Sequence, residues 1–317
     1  MVVRHQLARL ALVVHPTRPI AAPLETLERW AGEHSLDIVQ IPAVGGSDRV
    51  VGRGGELEPG DLVVALGGDG TVLSALRAAA PENAPVLGVA CGSLGALTAV
   101  HADRLEHALE RVRGGDWTAR RLPALAIQPE DAPDEWAVND FVVVRRGAGQ
   151  VAVDVSVDDE LYVRLAGDGL IVASPLGSSA YSMAAGGPLV APGTAAVVCT
   201  PLAMHGGSAP PLVVPATATV RVEIHPRFAG FDIELDGHTY PVNALDYRLS
   251  LYEDKVMLVS FGELGLGIPG LRERRLITDS PRILAREIAP RARPGGPDFG
   301  GPAVAGRGSS RGHAAAG

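Results

Sequence analysis

Short apolar runs alternate with amphipathic stretches through the first third of the chain. Leu10–Val14, Asp37–Ile41, Leu62–Leu66 and Val86–Ala90 have strand length, while Ala22–Glu33, Thr71–Ala80 and Asp103–Arg113 place apolar residues at helical spacing. Strand, helix, strand in that order predicts βαβ units and a parallel sheet covered on both faces. After Leu122 the pattern becomes one of strands. Ala137–Val144, Val151–Val157, Leu161–Leu165, Leu170–Ala173, Ala195–Thr200, Thr219–Ile224, Phe231–Leu235, Tyr247–Tyr252 and Lys255–Phe261 are the candidates. Asp158-Asp159-Glu160 and Asp236-Gly237 read as hairpin turns between them. One helix is expected near Ser178–Ala185 and another at Ser280–Ile288. The fold class expected is an α/β N-terminal domain with a parallel sheet, residues 1–122, followed by a β-rich C-terminal domain, residues 123–270. A helical segment at 271–289 precedes residues 290–317, which are rich in Gly, Pro, Ala and Arg, lack periodicity and read as a disordered tail.

Composition narrows the class. The 317 residues are 46% hydrophobic and 20% charged, as in an ordinary globular protein. The net charge of -8, from 28 basic and 36 acidic residues, gives no general affinity for nucleic acid or an anionic membrane surface. An anionic ligand must therefore be held by a local site. Cys91 and Cys199 are the only cysteines and both lie in apolar contexts, so a disulfide framework is not expected and a reducing cytoplasm is. Arg4 and Arg9 precede the run Leu10–Val14, which is too short for a secretory signal and stops at His15-Pro16. No apolar stretch has the length needed to span a bilayer.

Two segments carry chemistry. In Leu62–Leu73 a buried strand runs into Gly67-Gly68-Asp69-Gly70-Thr71 and then a helix. Gly68 and Gly70 let a ligand approach the backbone, and the free amides of a helix start favour an anion. The turn holds an acid and no lysine, so it is not a P-loop. Asp69 has three readings: it binds a magnesium ion, it accepts a proton from an attacking hydroxyl, or it caps the helix. In the second segment, Gly167–Pro188, the strand Leu170–Ala173 leads into Ser174-Pro175-Leu176-Gly177-Ser178-Ser179-Ala180-Tyr181. Ser178 and Ser179 offer hydroxyls, Tyr181 a ring, and the small residues leave room for a ligand. The alternative is a loop and capped helix packed for stability.

Together these segments resemble the NAD kinase family. That family has Gly-Gly-Asp-Gly-Thr after a strand, then an Asn-Glu pair. A later stretch, Asp-Gly-Leu-Ile-Val-Ser-Thr-Pro-Thr-Gly-Ser-Thr-Ala-Tyr, closes on Gly-Gly-Pro. The pair reads Asn139-Asp140 here, and the match runs over roughly residues 10 to 260, with the second motif the more specific. The resemblance implies an active site between the two domains and phosphoryl transfer to the 2′-hydroxyl of the adenosine ribose of NAD, giving NADP. Asp69 would be the general base, beside Gly68 and Gly70. Asn139 and Asp140 would hold the adenosine half. Asp168 with Ser179, Ala180, Tyr181, Ser182, Met183 and Ala184 would line the rest. The donor would be ATP or inorganic polyphosphate with a divalent cation, Mg2+ by that analogy, and the protein a homo-oligomer.

Some family positions are altered. Gly88-Val89-Ala90-Cys91-Gly92-Ser93-Leu94-Gly95-Ala96 has Ala90 for an Asn and Ala96 for a Phe. Asp140 stands for Glu, Leu176 for Thr, Pro210 for an Arg, and Asp236-Gly237-His238 for Asp-Gly-Gln. Loss of an aromatic wall removes stacking area. Two other functions follow from parts of this pattern. A lipid kinase of the diacylglycerol type shares Gly-Gly-Asp-Gly-Thr but leaves Ser174–Pro188 unexplained and predicts a basic amphipathic stretch the chain lacks. A dinucleotide sensor without catalysis fits the substitutions but gives Asp69 no task. The nine histidines are scattered, and no His-Glu-x-x-His, Cys-x-x-Cys, Gly-x-Ser-x-Gly elbow or dinucleotide-type Gly-x-Gly-x-x-Gly occurs, so no protein metal ligands are assigned. Arg145-Arg146 reads as a solvated strand end.

Overall fold

The structure is a computed structural model that describes residues 7–43, 49–226, 230–241, 244–262, 268–273 and 276–281. Met1–Ile277 form one compact unit and Thr278–Gly317 another, of which only residues 278–281 are described. Residues 282–288 of the last expected helix and the tail 290–317 lie outside the described residues.

The first lobe runs β1 (Arg9–Val14), α1 (Ala21–Glu33), β2 (Ile38–Gln40), β3 (Asp61–Gly67), α2 (Asp69–Ala79), β4 (Val86–Ala90), β5 (Val100–His101) and α3 (Leu105–Arg113). β2, β1, β3 and β4 lie side by side and parallel. Their continuous apolar runs split cleanly by residue parity. Leu10, Leu12, Leu62, Val64 and Leu66 pack with Leu27 and Trp30 of α1 and Leu105 and Leu109 of α3. Ala11, Val13, Val63 and Ala65 pack on the other face with Val72, Ala75 and Leu76 of α2. Helices on both faces explain why these strands carry no polar side.

The second lobe begins with β6 (Thr118–Pro129), β7 (Glu135–Ala137), β8 (Asp140–Arg145), β9 (Val151–Val157), β10 (Glu160–Gly167) and β11 (Gly169–Ala173). A short helix α4 (Tyr181–Ala184) follows, then β12 (Ala196–Leu202), β13 (Leu212–Pro215), β14 (Val220–His225), β15 (Phe231–Leu235), β16 (His238–Tyr240), β17 (Asp246–Ser260) and α5 (Ile268–Glu273). Among the described residues, six strands form one sheet in the order β13-β12-β11-β8-β15-β16. β9 alternates from Val151 to Val155, with Val151, Val153 and Val155 turned into the core between the sheets beside Phe141, Ile233 and Tyr247.

Three expectations change. The run Ala137–Val144 is two strands, β7 and β8, broken at Val138-Asn139. Tyr247–Tyr252 and Lys255–Phe261 are one long strand, β17, with a register shift between Tyr252 and Val256. The helix expected at Ser178–Ala185 is a 3-10 turn, Gly177–Ser179, followed by the single turn of α4. β17 joins the lobes: its first half pairs with β14 and its second meets β4 at Leu258. A division near residue 122 falls inside β6, which pairs along β17 from Thr118 to Pro129. The hairpin turns are where expected: Asp158, Asp159, Asp236 and Gly237 all have positive φ.

Candidate active site

β3 ends in Gly67, Gly68 takes an extended conformation, and Asp69 is the first residue of α2. No side chain caps α2, so the capping reading of Asp69 does not hold. Its carboxylate turns instead to the loop after β4. Ala96 N–H donates to Oδ2 at 2.8 Å and Leu97 N–H to Oδ1 at 2.9 Å. That loop is itself held by Gly95 N–H to Thr98 Oγ1 at 2.8 Å. A Cβ on Gly95 would lie 2.1 Å from Asp69 Oδ1, so glycine lets the carboxylate close over the loop.

Asn139 comes from the second lobe, in the break between β7 and β8. Two residues clamp that break. The Asp236 carboxylate accepts from Val138 N–H at 3.0 Å and Asn139 N–H at 2.6 Å. Ser174 takes the carbonyl side: its hydroxyl donates to Val138 O at 2.6 Å and its amide to Asn139 O at 2.8 Å. Arg77, on the same helix as Asp69, sits 3.6 Å from Asp236, donates to Trp136 O at 2.5 Å and lies over the Trp136 ring. One helix thus carries Asp69 at its start and, near its end, a cation that grips the Asn139 segment. Sequence reading treated Asp236 as a turn residue and gave Arg77 no role. A lone arginine on a helix carries no signal of its partner.

Asp69, Asn139, Ser179 and Ala180 line one cavity of about 270 Å3, walled by Leu94, Gly95, Ala96, Leu97, Leu176 and Leu276. Ala96 thus stands in that wall, which is aliphatic. Leu276 had no expected role; it follows α5 in the chain.

The remaining expected residues do not line this cavity. Gly68 and Gly70 flank Asp69 at the helix start, Gly70 exposed. Tyr181 is 42% exposed at the start of α4, and its hydroxyl is shifted upward by burial and then by Glu234, Asp140 and Asp168. Asp168 accepts from Arg145 Nε at 2.5 Å, and Arg146, exposed at the end of β8 as expected, pairs with Asp232. Met183 is half-buried and Ala184 exposed. Ser182 is 0% exposed and bonded to Thr200 Oγ1 at 2.9 Å, inside the fold. Ser178 and Ser179 donate to the carbonyls of Pro175 and Leu176, so both hydroxyls close their own loop.

Asp140 is 4% exposed, and burial, then Asp236 and Glu234, push its carboxyl up to about 7. The folded pKa lies above the unfolded value of about 3.9, so the folded state binds more protons in between. Stability carried by neutral Asp140 is therefore present at low pH and lost as pH rises through about 7. The melting temperature of the native protein is expected to fall relative to Asp140→Asn between pH 4.5 and 8. Parallel melting curves across that range would show Asp140 to be ionised throughout.

The described residues contain no group of three His, Cys, Asp or Glu side chains that could hold a metal. Both cysteines are free, and no helix among the described residues is long and apolar enough to cross a membrane.

A carboxylate on a strand–glycine–helix turn, facing a β-rich lobe across a cavity, defines the class: a two-lobed protein with an acid between an α/β and a β-rich half. Residues 57–120 match the ATP-NAD kinase N-terminal domain and residues 138–245 the ATP-NAD kinase C-terminal domain. The chain is 33% identical over 241 residues to an NAD kinase of Koribacter versatilis, covering 72% of this chain and 84% of that one. It is 41% identical over 182 residues to an NAD kinase of Heliobacterium modesticaldum, covering 56% of this chain and 64% of that one. Yeast NADH kinase complexed with NADH shares the fold at a TM-score of 0.71 and 21% identity, over 87% of this chain and 89% of that one. An Archaeoglobus fulgidus NAD kinase in complex with ATP does so at 0.65 and 23% identity, over 85% and 100%. The chain belongs to the NAD kinase family.

Proposed function

We propose that this chain phosphorylates NAD at the 2′-hydroxyl of its adenosine ribose, with ATP as donor, to give NADP and ADP. The observation that carries this reading is the meeting of Asp69, Asn139 and Ser179-Ala180 in one cavity. The Asn139 amide has donor and acceptor atoms for a purine edge, and its backbone is fully engaged by Asp236 and Ser174. Tyr181, together with Asp140 and Asp168, which both act on it electrostatically, would meet ribose hydroxyls and the amide of a nicotinamide. Asp69 is held by two backbone amides and needs no rearrangement to take a proton. As the 2′-oxygen bonds to the γ-phosphorus, the bond from that phosphorus to the ADP oxygen breaks and the hydroxyl proton passes to Asp69.

With one carboxylate at the turn and no ligand cluster among the described residues, the donor set fits a divalent cation that arrives on the nucleotide. Mg2+ so carried would neutralise charge on the donor phosphates. A cytoplasmic setting accords with the two free thiols, and a homo-oligomer with the family resemblance.

The test is an assay of purified protein with NAD, Mg2+ and either ATP or inorganic polyphosphate, reading NADP. Turnover with ATP is the expected result. No turnover with either donor, together with tight NAD binding, would replace this reading with that of a sensor.

A further inference from the structure

The glycine turn that presents Asp69 has a cation laid against it. Arg18 lies just beyond β1. Its Nη1 is 3.3 Å from where a Cβ on Gly68 would be, and 2.9 Å from the corresponding point on Gly92. The guanidinium therefore lies against the backbone just beyond both β3 and β4, and a side chain at either position would crowd it. Among the described residues Arg18 has no carboxylate partner; its bonds are made by its backbone.

That backbone is fixed with some care. Nδ1 of His15 accepts from Thr17 N–H and from Arg18 N–H, both at 3.1 Å. Arg49 closes the turn from outside, donating to His15 O at 3.1 Å and Arg18 O at 2.6 Å. The imidazole must be neutral to accept at Nδ1. Burial, Arg18 and Arg49 all lower the pKa of His15, which agrees with that role. Arg49 thus braces the turn while Arg18 is presented. Gly92 also lines an open hollow of about 510 Å3 with Pro19, Cys91 and His101.

Charge separates this face from the acceptor side. Glu234, Asp140 and Asp168 all act electrostatically on Tyr181 in the second lobe, so that face is the more acidic one. The ends of β1, β3 and β4 carry Arg18 and Arg49 instead, and the start of α2 adds partial positive charge. We infer that Arg18, on its turn braced by His15 and Arg49, forms the anion subsite for the polyphosphate chain of the phosphoryl donor. The inference rests on the phosphotransferase reading above. In the transfer, the γ-phosphoryl group leaves the β-phosphate oxygen for the ribose oxygen, the proton goes to Asp69, and Arg18 faces the charge left on the departing chain.

The test uses the full chain with Arg18→Ala and Arg18→Lys, thermal melts confirming folding. Loss of charged hydrogen bonds to phosphate is expected to raise the KM for Mg-ATP about tenfold in Arg18→Ala, less in Arg18→Lys, with the KM for NAD within about twofold. Calorimetry with inorganic tripolyphosphate, without NAD, is expected to show binding to the native protein that Arg18→Ala weakens by a similar factor. Binding of tripolyphosphate unchanged by Arg18→Ala, or absent from the native protein, would overturn the subsite. A rise in the KM for Mg-ATP with tripolyphosphate affinity unchanged would place Arg18 at the nucleoside end and overturn it too. If the native protein made no NADP, the proposed function would fall, and the tripolyphosphate titration would still decide the subsite.

Discussion

Asp69→Asn is expected to lower kcat for NAD phosphorylation at least about 10²-fold, the usual range for removal of a general base being about 10²–10⁴. A ribose hydroxyl is a poor nucleophile at neutral pH, and an amide in place of the carboxylate cannot take its proton. The structure also refines what else this variant does. Both carboxylate oxygens accept a backbone N–H, from Ala96 and Leu97. Asparagine keeps one acceptor and turns an NH2 group against the other N–H, which costs about 1–3 kcal/mol. The variant is therefore expected to melt somewhat lower than the native protein while staying folded. NAD affinity should change little, so the loss should appear in kcat rather than in uniform binding. Steady-state kinetics and calorimetry with NAD check both parts. A folded Asp69→Asn protein with near-normal kcat would remove Asp69 from the chemistry and, with it, the main support for the proposed function.

What the sequence made legible, and what it hid, follows the range of the forces involved. β1, β3 and β4 were readable because burial on both faces writes a continuous apolar run into the chain. The strand–Gly-Gly-Asp–helix turn was readable because all its parts are adjacent. The break at Val138-Asn139 was not. Val, Asn and Asp within Ala137–Val144 look like one strand, and the groups that interrupt it, Ser174 and Asp236, lie 36 and 97 residues further on. The hydroxyls of the second motif misled in the opposite sense. Ser178, Ser179 and Ser182 look like ligand donors, yet two serve their own loop and the third bonds to Thr200. Composition reveals that a loop is polar; only geometry shows where its hydrogen bonds go. β17 was split at Glu253-Asp254 for the same reason, because two acids interrupt the apolar pattern at a register shift that pairing with β6 tolerates.

Asp236→Ala is expected to reduce kcat/KM for NAD about 10²-fold, the scale on which misplacement of a positioning group by about 1 Å acts. Asp236 does not itself line the cavity; it holds the two amides that set where Asn139 points. Its backbone has φ of 53° in the Asp236-Gly237 turn, so the carboxylate is delivered by a hairpin that needs a residue tolerant of positive φ. Removing it leaves two N–H groups without their acceptor and Arg77 without its nearest carboxylate. Asn139 is then free to leave the cavity it shares with Asp69. Asp236→Asn retains one acceptor and the turn conformation, and should fall between native and Asp236→Ala. Arg77→Met cuts the tie to α2 without touching either amide, and should cost less than Asp236→Ala. A role confined to stability predicts something else: lower melting temperatures in all three variants, with unchanged constants for the fraction that remains folded. Positioning predicts that, well below the melting temperature, the KM for NAD rises and kcat falls while the KM for ATP stays near native. The ATP constant is the deciding control, because the donor side contains no group that Asp236 holds. If it rose in step with that for NAD, the link from Asp236 to Asn139 would be structural only.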